Sequence, residues 1–231
     1  MTSTPETTNG CPLCGGKGYT LALDEQGQLW AEKCECSTVN WSIARLEHSG
    51  LKELIGRYRF DTYETPEPWQ VGAKSMAQKY VQQGGDSWFV ITGTPGSGKT
   101  HLATAIVGEL IKAGRDTRYM LWRKDAPRLK ALVNDRDIYE QELARFSTVD
   151  VLYIDDFFKG KVSEGDINLA FELLNDRYNT QRQTIISGEL DVSAILSIDE
   201  AIGSRIYERS KGYCIKTPKQ NWRLLHPKGE K

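Results

Sequence analysis

Eight consecutive residues constrain this chain more than any other feature. Gly93-Thr94-Pro95-Gly96-Ser97-Gly98-Lys99-Thr100 fills every fixed position of G-x-x-x-x-G-K-[ST]. The apolar run Trp88-Phe89-Val90-Ile91 precedes it, and a helix-forming run from His101 to Ile111 follows. Strand, glycine-rich turn and helix in that order are the setting a phosphate-binding loop requires. Glycines let the backbone curl with its N–H groups turned inward, an anion nest at a helix N-terminus. Lys99 can then reach the β and γ phosphates of a nucleotide, and the Thr100 hydroxyl can ligate Mg²⁺. The run from Gly93 to His101 is therefore the expected nucleotide-binding segment. The bland alternative is a turn that only links strand to helix.

The rest of the chain supplies the surroundings. Helical patterns near Val71–Gln83, from the loop to Lys112, up to Phe146 and at Ile167–Tyr178 alternate with short β-rich runs. Those runs lie at 88–91, Thr117–Trp122, Val151–Ile154 and Thr184–Ser187. This is the pattern of an α/β fold with a parallel sheet covered by helices on both faces. The run Val151-Leu152-Tyr153-Ile154 ends in Asp155 and Asp156. In open α/β sheets ligands sit at the carboxyl ends of strands, so Asp155 is expected to orient Mg²⁺ and Asp156 to polarise the attacking water.

Residues 1–40 differ in composition and hold four of the five cysteines. Cys11-Pro12-Leu13-Cys14 and Cys34-Glu35-Cys36 stand nineteen residues apart, with a hairpin-like stretch between them. Four thiolates gathered this way suit a closed, tetrahedral Zn²⁺ site. Such a site would change the formal charge of -1 by -4 and +2, to -3. An iron–sulfur cluster and unligated thiols are the other readings. Cys214, alone in a strand-like run, reads as a buried core thiol. Residues 41–69 read as a helical segment, about Trp41–Ile55, and a Pro-containing linker, Asp61–Trp69. Residues 70–231 form the nucleotide-binding domain.

Charge and hydropathy exclude several classes. Mean hydropathy is -0.50 and no apolar run approaches a bilayer span, so neither a membrane span nor a secretory leader is expected and the cytoplasm is the expected compartment. A formal charge of -1 argues against a whole-molecule polycation. Local stretches differ: Trp122–Lys130 carries four basic residues against Asp125, a local +3, and Arg205–Lys231 carries eight against Glu208 and Glu230, a local +6. Either can meet phosphate backbone, or simply be solvated. His48, His101 and His226 show no ligand or triad spacing. Arg205 and Arg209, four apart in a helical run, share one face.

Taken in order, the cysteine module, the segment Ile43–Phe60, the loop GTPGSGKTHLA, the strand end YIDDF and the later IISGELD and IGSRIYERS resemble replicative helicase loaders of the DnaC/DnaI type, above all phage and prophage versions. IstB-like transposition helper ATPases are similar in the same core. The resemblance implies an AAA+ P-loop NTPase core lacking a full helical lid, with a small N-terminal zinc-binding module. It implies ATP, Mg²⁺ and Zn²⁺ as cofactors. It implies a DnaB-type hexameric helicase, single-stranded DNA and further copies of this chain as partners, in replication initiation. It makes Arg209 the candidate arginine finger acting in trans, with Arg205 at the nucleotide or interface. It places extra, DNA-contacting helices at Trp122–Phe146. The family's polar sensor, commonly Asn, falls on Glu189, with Ser187 nearby, which implies slow or partner-dependent hydrolysis. A transposition helper and a nucleotide-binding adaptor with little turnover are the competing functions.

Overall fold

The computed structural model describes residues 11–15, 19–23, 27–34, 51–219 and 221. Cys36, His48, His226, the stretch 41–50 and, from the basic C-terminal stretch, residues 220 and 222–231 lie outside these. Near the N-terminus β1 (Tyr19–Leu23) and β2 (Leu29–Lys33) pair antiparallel, Tyr19 opposite Lys33 and Leu23 opposite Leu29. The hairpin read between the two cysteine pairs is thus present.

From residue 51 onward, helices and strands alternate: α1 (Leu51–Arg57), α2 (Pro68–Gln83), β3 (Phe89–Thr92), α3 (Lys99–Lys112), β4 (Thr117–Leu121), α4 (Trp122–Ala131) and α5 (Arg136–Ser147). They continue through β5 (Val151–Phe157), α6 (Glu164–Asn179), β6 (Gln183–Gly188), α7 (Val192–Ile198), α8 (Glu200–Arg209) and β7 (Cys214–Lys216). The five later strands form one sheet in the order β4-β5-β6-β3-β7, every neighbouring pair parallel. β3, which feeds the glycine-rich loop, therefore sits inside the sheet with β6 on one side and β7 on the other.

Strand alternation divides the core in two. Val90, Met120, Leu152, Ile154 and Ile186 face a layer containing Trp122, Leu173 and Ile206. Phe89, Ile91, Tyr119, Val151, Tyr153 and Ile185 face the opposite layer, with Leu51, Tyr80, Leu102 and Ile106. Apolar burial on both faces is why these strands read as continuous hydrophobic runs. Tyr63, from the stretch read as a linker, is buried in the second layer, as is Leu51 of α1.

Helix starts follow short polar signals. Pro68 opens α2 three residues earlier than periodicity alone suggests, because its fixed φ suits a first turn. Asp135, Asp191 and Asp199 accept the N–H groups of Ile138, Ala194 and Ile202 and so cap α5, α7 and α8. At α6 the capping is reciprocal: Ser163 Oγ accepts from Asp166 N–H, and Asp166 accepts from Ser163 N–H at 3.0 Å. Lys130 of α4 adds an ion pair to Asp166 at 2.6 Å, tying α4 to α6.

Two residues depart from expectation. Cys214 is exposed among the described residues, because it lies on the edge strand β7 and not in the core. Arg177 is fully buried. It donates to the carbonyls of Phe146, Ser147 and Val149 at 2.9–3.1 Å and to Thr184 Oγ1 at 2.9 Å, and it also reaches Gln183 O. One side chain thereby joins the end of α5 to the starts of β5 and β6. No described helix is long and apolar enough to cross a membrane.

Candidate nucleotide site

The glycine-rich loop leaves β3 at its carboxyl end, where Gly93 N–H donates to Gly188 O at 3.1 Å, next to the end of β6. Gly93, Gly96 and Gly98 hold φ of 139°, 79° and 83°, a region that L side chains rarely enter. Gly93 has a second reason to be glycine: a Cβ there would lie 2.1 Å from Thr217 Oγ1. Thr217 N–H donates to Thr92 O at 2.8 Å and its hydroxyl to Ser97 Oγ at 2.9 Å, so the chain beyond β7 is latched onto the loop.

Lys99 and Thr100 open α3. The Lys99 ammonium donates to the carbonyls of Gly93 and Thr94 at 2.9 and 2.7 Å. Burial pulls its pKa down, while Glu189 and Asp156 push it back up. Thr100 Oγ1 stands 3.4 and 3.5 Å from the two oxygens of Asp155. Hydroxyl and carboxylate thus converge where a hydrated divalent cation is held in phosphate-loop proteins. Asp155 is buried and also accepts from Tyr119 O–H at 3.2 Å, from Asp156 N–H at 3.0 Å and from Ser187 O–H. Burial, followed by the Asp155 charge, keeps both the Tyr119 and Tyr153 phenols protonated far above their ordinary range.

Asp156 takes the left-handed conformation, φ 56°, and its carboxylate binds Lys159 at 3.1 Å. Lys159 also binds Glu189 at 3.2 Å. The structure therefore gathers Lys99, Thr100, Asp155, Asp156, Ser187 and Glu189 around one loop. His101 turns elsewhere. Its imidazole pairs with Arg59 O at 3.0 Å, stacks on Tyr58 and meets Tyr63 edge-on, so it seats residues 58–63 against the first turn of α3. Burial lowers its pKa.

Arg205 and Arg209 share α8 but lie apart from this cluster. Arg205 donates to Asn175 Oδ1 at 2.8 Å and stacks over Phe171 and Tyr178. Arg209 pairs with Asp86 at 3.0 Å, and its carbonyl accepts from Trp88 N–H at 2.8 Å. Those contacts put Arg209 at the amino end of β3, while the phosphate loop leaves the carboxyl end. It does not serve its own subunit's loop from there. In the stretch read as DNA-contacting, Trp122 is buried against Phe157 and Phe158, which removes it as a stacking platform, whereas Arg123, Lys124 and Arg128 remain exposed.

Of the N-terminal thiols, the sulfurs of Cys11, Cys14 and Cys34 lie within 4.8 Å of one another. The Cys11–Cys34 separation of 3.8 Å equals the edge of a tetrahedron with arms of about 2.3 Å, the Zn–thiolate length, and is far too long for a disulfide. Gly15, at φ 59°, donates to Cys11 O at 2.9 Å and closes the turn between the first two sulfurs.

Fold and loop define the class: a P-loop nucleotide-binding α/β protein with a five-stranded parallel sheet, the architecture of AAA+ ATPases. The family model described as IstB-like ATP binding protein matches residues 60–218, and the chain belongs to that family. It is 36% identical over 220 residues to the phage-like element PBSX protein XkdC of Bacillus subtilis, covering 89% of this chain and 81% of that one. It is 26% identical over 191 residues to the replicative helicase loader DnaC of Escherichia coli, covering 81% and 77%. The solved structure of the DnaC helicase loader superposes with a TM-score of 0.59 at 22% identity, over 69% of this chain and 94% of that one. DnaI gives 0.59 at 21%, over 71% and 92%.

Several residues at the site escape sequence reading. Tyr119, Lys159 and Thr217 belong to no motif, and they reach the loop only through strand pairing and turn geometry. Position 159 carried one weak signal, a lysine three residues past the paired aspartates.

Proposed function

We propose that this protein is an ATPase that loads a DnaB-type replicative helicase onto single-stranded DNA, working as a head-to-tail assembly of identical subunits. Similarity to the DnaC loader over most of the chain carries this reading. Lys99 and the backbone N–H groups of residues 96–100, at the start of α3, hold the phosphates. Thr100 and Asp155 hold Mg²⁺, which lends positive charge to the phosphate oxygens. Asp156 orients and polarises water. The position of Arg209 at the opposite end of β3 supports a role in trans: a subunit stacked head to tail presents that end to its neighbour's loop. The exposed Arg123, Lys124 and Arg128 on α4 suit the phosphates of a single strand. Cys11, Cys14, Cys34 and Cys36 hold a structural zinc that folds the hairpin.

The test is co-purification of the full chain with the host's replicative helicase, followed by turnover with helicase and single-stranded DNA present. Helicase capture and stimulated turnover are expected. The family match favours one second reading, a transposition helper of the IstB kind, and capture of a transposase in place of the helicase would select it. Helicase capture without turnover would identify a nucleotide-binding adaptor.

A further inference from the structure

One cation beside the loop is explained neither by the phosphate-loop motif nor by the paired aspartates. β5 ends in a tight turn in which Asp156 and Phe158 hold φ of 56° and 54°, and Lys159 N–H donates back to Asp156 O at 3.1 Å. Phe158 is buried, stacked on Phe157 with centroids 4.1 Å apart and set edge-on to Trp122, which fixes that turn. The turn delivers the Lys159 ammonium between two carboxylates, Asp156 at 3.1 Å and Glu189 at 3.2 Å.

The side-chain charges there, counted without the Mg²⁺ that accompanies a nucleotide, are otherwise adverse to a triphosphate. Asp155, Asp156 and Glu189 carry three negative charges against the single positive charge of Lys99, a balance of -2. Lys159 brings it to -1. An ammonium has three donors, and two of those on Lys159 are directed at Asp156 and Glu189. Glu189 directly follows Gly188, whose carbonyl accepts from the first residue of the phosphate loop. The pinned ammonium is therefore held beside the loop with one N–H unspent among the described contacts. Burial works against its charge, but the hydrogen bonds to Asp156 and Glu189 prevail and raise its pKa, so it stays an ammonium.

We propose that Lys159 donates its third N–H to the terminal phosphate of a bound nucleoside triphosphate, with Glu189 and Asp156 as the fork that aims it, so that the site tells triphosphate from diphosphate. The proposal rests on the nucleotide-site reading and adds a discriminating residue to it. An ion pair that only shapes the turn would carry no such preference.

The experiment is calorimetric binding of ADP, and of an ATP analogue with a methylene between its β and γ phosphorus atoms, each with Mg²⁺, to the full chain. Lys159→Met is expected to weaken the analogue about ten- to a hundredfold, the range for a lost charge-assisted hydrogen bond, and ADP less than about twofold. Some of that loss comes from leaving Glu189 uncompensated, so Lys159→Met/Glu189→Gln separates repulsion from contact. The double variant is expected to remain at least about fivefold weaker than wild type for the analogue alone. Recovery of wild-type affinity in the double variant would reduce Lys159 to a neutralising charge and overturn the proposal. Equal weakening of both nucleotides, or of neither, would also overturn it. Lys99→Ala serves as the control for the underlying reading. If it binds both nucleotides like wild type, the phosphate site itself is misassigned, an outcome distinct from failure of Lys159.

Discussion

Asp166 stands at the junction of α4 and α6, and replacing it with asparagine should cost stability in a pH-dependent way. Its carboxylate receives Lys130 at 2.6 Å and both the N–H and hydroxyl of Ser163, and it is largely shielded from solvent. Asparagine removes the ion pair, about 1 kcal/mol at the upper end for a pair of this exposure. It also disturbs the reciprocal cap, typically about 1 kcal/mol. The expected loss at pH 7 is thus about 2 kcal/mol. Burial alone would raise the Asp166 pKa, but Lys130 and Ser163 outweigh it and hold the pKa below 3.8 in the folded protein. The folded state therefore binds fewer protons than the unfolded chain in that window. The contribution is complete above pH 3.8 and drains away as the pH falls through the folded pKa. Urea unfolding followed by far-ultraviolet circular dichroism, at steps from pH 7 towards pH 3, should show wild type and Asp166→Asn converging. A difference under about 0.5 kcal/mol at pH 7, the size of an ordinary surface change, would refute the reasoning. So would a difference that does not shrink with acid.

Three further outcomes are expected. Lys99→Ala should abolish nucleotide binding by calorimetry while leaving the melting temperature within a few degrees, because among the described residues its ammonium donates to the loop carbonyls of Gly93 and Thr94. Arg209→Ala should bind ATP through its own Lys99 yet lose turnover with DNA and helicase present, and mixing it with Lys99→Ala subunits should restore part of the rate. Wild-type turnover by Arg209→Ala would transfer the finger role to Arg205 or remove it. Chelating zinc should unfold the hairpin of β1 and β2 while the sheet of β3 to β7 keeps its unfolding midpoint, since metal binding supplies folding free energy locally. Metal analysis of the purified protein, which should find one zinc per chain, checks the premise.

The sequence made the parallel sheet legible because its strands are apolar on both faces, and the phosphate loop because its chemistry demands fixed residues at fixed spacing. Asp155 was readable for the same reason: a carboxylate ending a buried run has few uses. What stayed hidden depends on contacts distant in sequence. Arg177 looks like any helix arginine until α5, β5 and β6 surround it with carbonyls. His101 sits directly after the motif, so sequence order assigns it to the nucleotide, whereas packing turns it towards Tyr58 and Arg59. Trp122 opens a basic stretch that reads as DNA-contacting, but the two phenylalanines after Asp156 bury it. α7 was missed because seven residues offer too short a period, and only its Asp191 cap marks it.

The latch between Thr217 and the phosphate loop makes the loop and the segment leaving β7 one mechanical unit. Thr217 grips Thr92 and Ser97, Thr94 reaches Pro218, and no side chain fits at Gly93 while Thr217 is in place. Tension applied to the chain after Pro218, by a partner or by an attached domain, is transmitted to the loop through three residues rather than through the whole sheet. A swelling of the loop, in turn, loosens the exit of β7. Spectroscopic labels placed beyond Pro218 would therefore report on events at the phosphates, and fusions there act as handles on the site, not as inert additions.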